Sequence, residues 1–197
     1  MEITKRAKNA IKILFTDYLV DYNAHNLKDK LEISNVGTIK LLKRLEEKNI
    51  LKSKKMGNAT FYKVNTKNDY AIKLLELILM ENDYSNYVKG WILDLGIFSN
   101  MTKSILLFGS VLKKGKKAGD IDVGFILKNS ANYKKIQKKV NDINKNNRMK
   151  IHPLYMTEKN FEDKLKNKDK PIIEIVSSCA VIHGVELFVK VIKNVQI

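Results

Sequence analysis

Two short segments of this chain carry residue types that handle phosphate and divalent metal. Leu107-Phe108-Gly109-Ser110 closes an apolar run, and Asp120-Ile121-Asp122-Val123 follows after nine residues. The apolar runs 104–108 and 121–127 predict two buried strands. Period-two geometry on the second puts Asp120 and Asp122 on one face, with Ile121 turned to the core. Two neighbouring carboxylates repel each other unless a cation lies between them. The pair therefore suits Mg²⁺, or Mn²⁺ in its place, bridging to a triphosphate. Gly109 permits close backbone approach, and Ser110 offers a hydroxyl and a backbone N–H to phosphate. Lys113, Lys114, Lys116 and Lys117 lie between the two segments as neutralising charge.

This constellation resembles the minimal nucleotidyltransferases of the DNA polymerase β-like superfamily. Their signature is hydrophobic-Gly-Ser, about ten residues, then Asp-hydrophobic-Asp. The resemblance extends over 101–192, including Tyr155 to Phe161 and Val181 to Glu186. It implies transfer of a nucleoside monophosphate from an NTP to a hydroxyl, with two Mg²⁺ ions. It also implies that Gly109 and Ser110 hold the β- and γ-phosphates, assisted by Lys113 and Lys114, and that Asp120 and Asp122 hold the metals. The chain departs from the pattern after Gly-Ser, where Leu112-Lys113-Lys114 replaces a small residue plus Arg, and at Gly119, where a Ser often precedes the first acid. The third carboxylate of active members, which serves as base and metal ligand, falls on His152 when the strand is anchored on Thr157. His152 then substitutes, or Glu158, Glu174 or the acceptor does, or activity is weak.

The elements that must position these residues form an α+β chain. Apolar residues at helical spacing predict a first helix from Ile3 to Tyr22, then a two-turn helix over 27–33. A longer helix is expected from an N-cap at Ser34 to about Asn49, with Val36, Ile39, Leu42 and Leu45 inward. The runs around Gly57-Asn58 predict a hairpin. Helical periodicity continues from about 70 to 94. After the two strands come a Lys-rich helix over 133–143, a strand over 149–156, a helix capped by Thr157, and helices near 172–182 and 185–194 broken at His183-Gly184. Cys179 is expected to pack in the core and His183 to cap. The Lys134-Lys135 and Lys138-Lys139 pairs are expected on a solvated face.

Three helices and a hairpin resemble a winged helix-turn-helix over about 5–66, as in archaeal and bacterial winged-helix regulators. The segment Val36 to Leu51 and the ending Phe61-Tyr62-Lys63-Val64-Asn65 carry that resemblance. A major-groove helix would then present Asn35, Thr38, Lys40, Lys43 and Arg44, and the wing Lys52, Lys54, Lys55 and Lys63. The expected organisation is a DNA-binding domain over 1–66, a helical connector over 67–100 and a nucleotidyltransferase domain over 101–197.

Composition sets the outer limits. The 197 residues carry 37 basic and 21 acidic groups, a net charge of +16, which favours a polyanionic partner. Arg is scarce, at Arg6, Arg44 and Arg148, which argues against extensive guanine reading. One cysteine excludes an internal disulfide framework and a Cys-cluster zinc site. The start MEITKRAKNAIKILF has no long apolar region and no small-residue cleavage pattern, and a cytoplasmic protein without a membrane span is expected. Two functions compete. One is a Mg²⁺-dependent nucleotidyltransferase brought to its substrate by a double-stranded-DNA-binding winged helix. The other is a DNA-binding regulator, or an antitoxin-like partner of a toxin, whose transferase domain is weak or inactive. An RNA acceptor and a homodimer are compatible with both.

Overall fold

Capping side chains set where the first helices begin. In the computed structural model, which describes residues 3–81 and 83–196, the Thr4 hydroxyl accepts the Ala7 N–H and opens helix α1 (Lys5–Thr16). The apolar spacing predicts that this helix reaches Tyr22, but it stops six residues earlier. The Asp17 carboxylate accepts the Tyr22 hydroxyl and the Lys30 ammonium, which holds the chain in a turn. Tyr22 instead enters a short strand, β1 (Tyr22–Asn23), opposite Tyr62. Asn23 and Asn26 form a reciprocal capping box at the start of α2 (Ala24–Leu31). Ser34 caps α3 (Asn35–Glu47) as the sequence predicts, its hydroxyl accepting the Gly37 N–H.

The hairpin β2 (Leu51–Met56) and β3 (Ala59–Val64) turns at Gly57, which takes φ +59°. These strands form an antiparallel sheet in the order β1-β3-β2. Ile11, Phe15, Leu27, Leu42, Leu45, Ile50 and Leu51 are buried in this part of the chain.

The phase of α3 corrects one expectation. Thr38, Leu42 and Leu45 are the buried positions, while Val36 is 61% exposed and Ile39 also faces out. Thr38 was expected to meet DNA, yet it is fully buried, its hydroxyl donating to the Ser34 carbonyl at 3.1 Å. A threonine whose hydroxyl is satisfied by the preceding turn presents its methyl to the core like a small apolar residue.

The chain divides into two units between residues 78 and 79, with Gln196 grouped with the first. The stretch expected as a connector is therefore shared. Most of α4 (Asp69–Met80) belongs to the first unit, and α5 (Asn86–Leu95) to the second. There Val88, Trp91, Leu95 and Phe98 are core residues.

The second unit is built on β4 (Thr102–Phe108), β5 (Asp120–Leu127), β6 (Lys150–Thr157) and β7 (Ala180–His183), in the order β6-β5-β4-β7. The short helix α6 (Val111–Lys114) lies between β4 and β5, and α7 (Asn132–Asn146) crosses over between β5 and the parallel β6. Helices α8 (Glu158–Lys166), α9 (Lys170–Ser178) and α10 (Val185–Val195) complete the unit. The strand β7 replaces the end of the helix expected over 172–182. Val181 and Ala180 pair with Leu106 and Leu107. The β-branched pair Val181-Ile182 suits a pleated surface, and the helix ends at Ser178. Gly184 takes φ +69°, where a Cβ would lie 1.8 Å from the Lys103 carbonyl oxygen, so the sharp exit from β7 requires glycine.

One face of the sheet, with Ile105, Leu107, Ile121, Val123, Phe125 and Ile151, packs on residues of α5 and α7. The alternate residues Leu106, Ile126 and Met156 are buried on the other face, and α8 and α10 pack on the strands through Phe161 and Phe188 among others. Asp120 and Asp122 share the parity of that second face.

Glu158 opens α8 and accepts Lys103 of β4 at 2.5 Å and Lys190 of α10 at 3.1 Å. These two ammonium groups hold its carboxyl below the ordinary glutamate range. A depressed folded-state value means that the stabilisation is present at neutral pH and is lost as pH falls through that value. Glu158→Gln should therefore cost about 1 kcal/mol at pH 7, the scale of a partly exposed pair. Denaturant titrations of both proteins should converge once the pH is below the folded-state value, and a gap that persists there would assign the effect to packing.

Candidate metal and phosphate site

The site forms where three strands align their ends. Phe108 lies opposite Asp122 in the β4–β5 register, so the turn after β4 arrives beside that acid. Gly109 takes φ +78°, and a Cβ there would stand 2.1 Å from Asp122 Oδ2. The carboxylate thus occupies the space that a side chain at 109 would need. Ser110 follows, and its hydroxyl makes no capping bond to α6.

The parallel register between β5 and β6 places Asp120 opposite Lys150 and Asp122 opposite His152. Strand alternation then puts His152 on the face of the two acids. Its Nδ1 lies 3.1 Å from Asp120 Oδ2, and one ligand atom from each of Asp120, Asp122 and His152 falls within 4.8 Å of the others. The two acids are half-buried and the imidazole is exposed. Burial, followed by the charge of Asp120, pushes the Asp122 carboxyl above the ordinary aspartate range, and His152 acts in the opposite sense. Among the described residues, His152 is the one ion-pair partner of the two acids.

Lys150 adds no relief, although it sits opposite Asp120. Its ammonium donates to the carbonyls of Asn144 and Asn147 at the end of α7. The cluster therefore gathers two carboxylates beside one imidazole. Two carboxylate oxygens and one imidazole nitrogen at this spacing fit a divalent cation.

The other expected residues fall in different places. Glu158 pairs with lysines at the far end of β5, and Glu174 lies exposed on α9, so neither joins the cluster. Lys113 and Lys114 are exposed on α6, and no ion pair joins them to the acids among the described residues. They line a cavity of about 500 Å³ with Tyr84, Tyr87 and Lys116. The sequence reading passed over a second cavity of about 710 Å³, lined by Tyr87, Trp91, Asp94, Lys116, Arg148 and neighbouring residues. Ala118 and Met149 also line it, two and three positions before Asp120 and His152. The one arginine of the second unit was the available signal for it.

In the first unit, Asn35, Ile39 and Lys43 recur at four-residue steps and line a groove of about 310 Å³ with His25, Asn58 and Thr60. Lys40 and Arg44 are exposed on α3. Lys52, Lys54 and Lys55 are exposed along β2, an edge strand of its sheet, and Lys63 on β3 pairs with Asp21 at 3.3 Å. Charge on an edge strand also discourages pairing with another chain.

No family model, curated protein or solved structure matches this chain. Among the described residues, no helix is long and apolar enough to cross a membrane.

The contact between Gly109 and Asp122 gives a direct test. Gly109→Ala should displace the carboxylate and weaken Mn²⁺ binding about tenfold or more, with about 1 kcal/mol lost to the positive φ. Gly119→Ala, where a Cβ meets nothing within 4 Å, is the control and should bind as the wild type does. Calorimetric titration with Mn²⁺ and denaturant unfolding of both variants check the two effects.

Proposed function

We propose that the chain is a divalent-metal-dependent nucleotidyltransferase of the polymerase β-like type, joined to a winged helix that binds duplex DNA. One observation carries the catalytic half: Asp120, Asp122 and His152 converge within 4.8 Å beside the Gly109 turn. In this reading the Gly109 and Ser110 backbone N–H groups and the Ser110 hydroxyl hold the outer phosphates of an NTP. Asp120 and Asp122 hold the metal, which when bound neutralises charge on the triphosphate and polarises the reacting phosphoryl group. A hydroxyl of the acceptor forms a bond to the α-phosphorus and gives up its proton to solvent, the α–β anhydride bond breaks, and pyrophosphate departs with that bond's electron pair.

His152 stands where a third acid would assist the acceptor. An imidazole adds no negative charge beside the attacking oxygen, so the deficit falls on the chemical step rather than on NTP binding. The same feature favours the second reading, a DNA-binding regulator or antitoxin-like protein that holds a nucleotide with little or no turnover. For the first unit, support comes from three helices, a hairpin and the outward Asn35, Lys40, Lys43 and Arg44.

Two experiments test these readings. Incubation with each labelled NTP, Mg²⁺ or Mn²⁺, and a mixed RNA and protein extract should give label transfer that Asp120→Asn/Asp122→Asn lacks. Equal transfer by both proteins would remove the catalytic reading, and NTP binding without transfer would select the regulator. Duplex-DNA binding should fall steeply between low and moderate salt, and Lys43→Glu/Arg44→Glu should weaken it about tenfold or more. Thr38→Val, buried beneath the proposed contact face, should leave affinity within about twofold; anisotropy titrations of the three proteins decide this.

A further inference from the structure

We infer that His152 makes this site selective for a transition-metal dication, with Mn²⁺ preferred to Mg²⁺. The inference rests on the proposed role of Asp120, Asp122 and His152 as metal ligands and names the ion that they favour.

The donor set is the first ground. Two of the three convergent donors are carboxylate oxygens and the third is an imidazole nitrogen. Mg²⁺ requires a near-ideal octahedron of oxygens and surrenders water reluctantly. An imidazole nitrogen is neutral and softer; it suits Fe, Ni, Cu and Zn best, and Mn²⁺, the weakest binder of the first-row dications, still admits it where Mg²⁺ holds to oxygen. Mn²⁺ accepts carboxylate, imidazole and phosphate oxygen together, so it uses all three donors and still serves a triphosphate.

The second ground is that the backbone fixes the strand position from which the imidazole projects. The Asn144 amide donates to the Ile151 carbonyl at 3.0 Å, and its Oδ1 accepts the Ile151 N–H at 2.7 Å. This clamp anchors β6 one residue before His152, and the β5–β6 register sets it opposite Asp122. The side chain is 61% exposed, and its Nδ1 lies 3.1 Å from Asp120 Oδ2. An exposed His–Asp contact contributes little stability by itself. A metal gives the arrangement a purpose that an isolated surface pair does not.

The third ground is charge. Asp120 and Asp122 carry two negative charges, which one dication balances. A third carboxylate at 152 would leave one charge in excess and would strengthen the pull on a hard ion. With histidine, discrimination comes from ligand type instead of from total charge. The substitution thus trades attraction for Mg²⁺ against selectivity for an ion that accepts nitrogen.

The test uses the full chain and the metals alone. Mn²⁺ binding is followed by loss of the free-ion electron paramagnetic resonance signal, and Mg²⁺ is then added as competitor. Wild type should bind Mn²⁺ at least about tenfold more tightly than Mg²⁺. His152→Ala should weaken Mn²⁺ about tenfold and leave Mg²⁺ within about twofold. His152→Asp should shrink the Mn²⁺/Mg²⁺ ratio about tenfold by strengthening Mg²⁺. Circular dichroism spectra establish that each variant keeps its fold. Equal affinities in the wild type would overturn the preference, and His152→Ala with unchanged Mn²⁺ binding would overturn its assignment to His152; either result leaves the metal site standing. Neither ion binding to the wild type would overturn the metal reading itself, and the preference with it.

Discussion

Mutual repulsion between Asp120 and Asp122 is the constraint that organises the second unit. Two acids at alternate positions on one strand project from the same face of the sheet. Among the described residues, no lysine or arginine forms an ion pair with either acid. Lys150, next to Asp120 in register, gives its charge to the carbonyls at the end of α7. Burial raises the cost of keeping Asp122 ionised, as its upward pKa displacement records. A fold that holds two acids this way and turns the lysine opposite Asp120 to other partners retains an unfavourable local field. Such fields are typical of sites that are completed by a ligand.

The rest of the unit is explained by what keeps that field in place. The β4–β5 register brings Gly109 against Asp122, and the missing side chain leaves room for the carboxylate. The α7 crossover makes β6 parallel to β5, which brings His152 level with Asp122. On the α5 and α7 side, Phe125 contacts both Phe98 and Tyr155, with ring centroids 5.0 and 5.8 Å apart. On the other side, the Phe161 and Phe188 rings of α8 and α10 stack at 6.5 Å. These layers fix the strand ends, and the strand ends fix the acids. Rigid strands position such a cluster more sharply than loops would.

The features legible in the sequence were those with a strict local cause. Period two alone placed both acids on one face, and the Thr157 cap anchored β6 well enough to find His152. Ser34 and the Gly57 turn were equally readable, because a cap and a left-handed turn each demand few residue types. What escaped was set by partners distant in the chain. The end of α1 depends on Asp17 receiving Tyr22 and Lys30. The phase of α3 turned on whether Thr38 or Val36 enters the core, and hydrophobicity ranks those two in the wrong order. Strand β7 is four residues long and acquires its identity from β4. The cavity beside Trp91 joins α5 to the turn after α7, a pairing that no spacing rule expresses.

Under the proposed function, histidine rather than an acid at 152 separates two functions that an acid triad would combine. A bound NTP brings several negative charges of its own and can help retain a dication that two aspartates hold only moderately. Nucleotide binding therefore depends less on a third acid than acceptor activation does. Activation needs negative charge or a base beside the attacking hydroxyl, and one carboxylate fewer bears directly on that step. An imidazole restores a donor for the metal without restoring the charge. The enzyme and regulator readings thus share one binding geometry and differ in the height of a single barrier. In the proposed reading, a slow transferase and a nucleotide-holding regulator share one architecture and differ in the chemistry of one side chain near the start of β6.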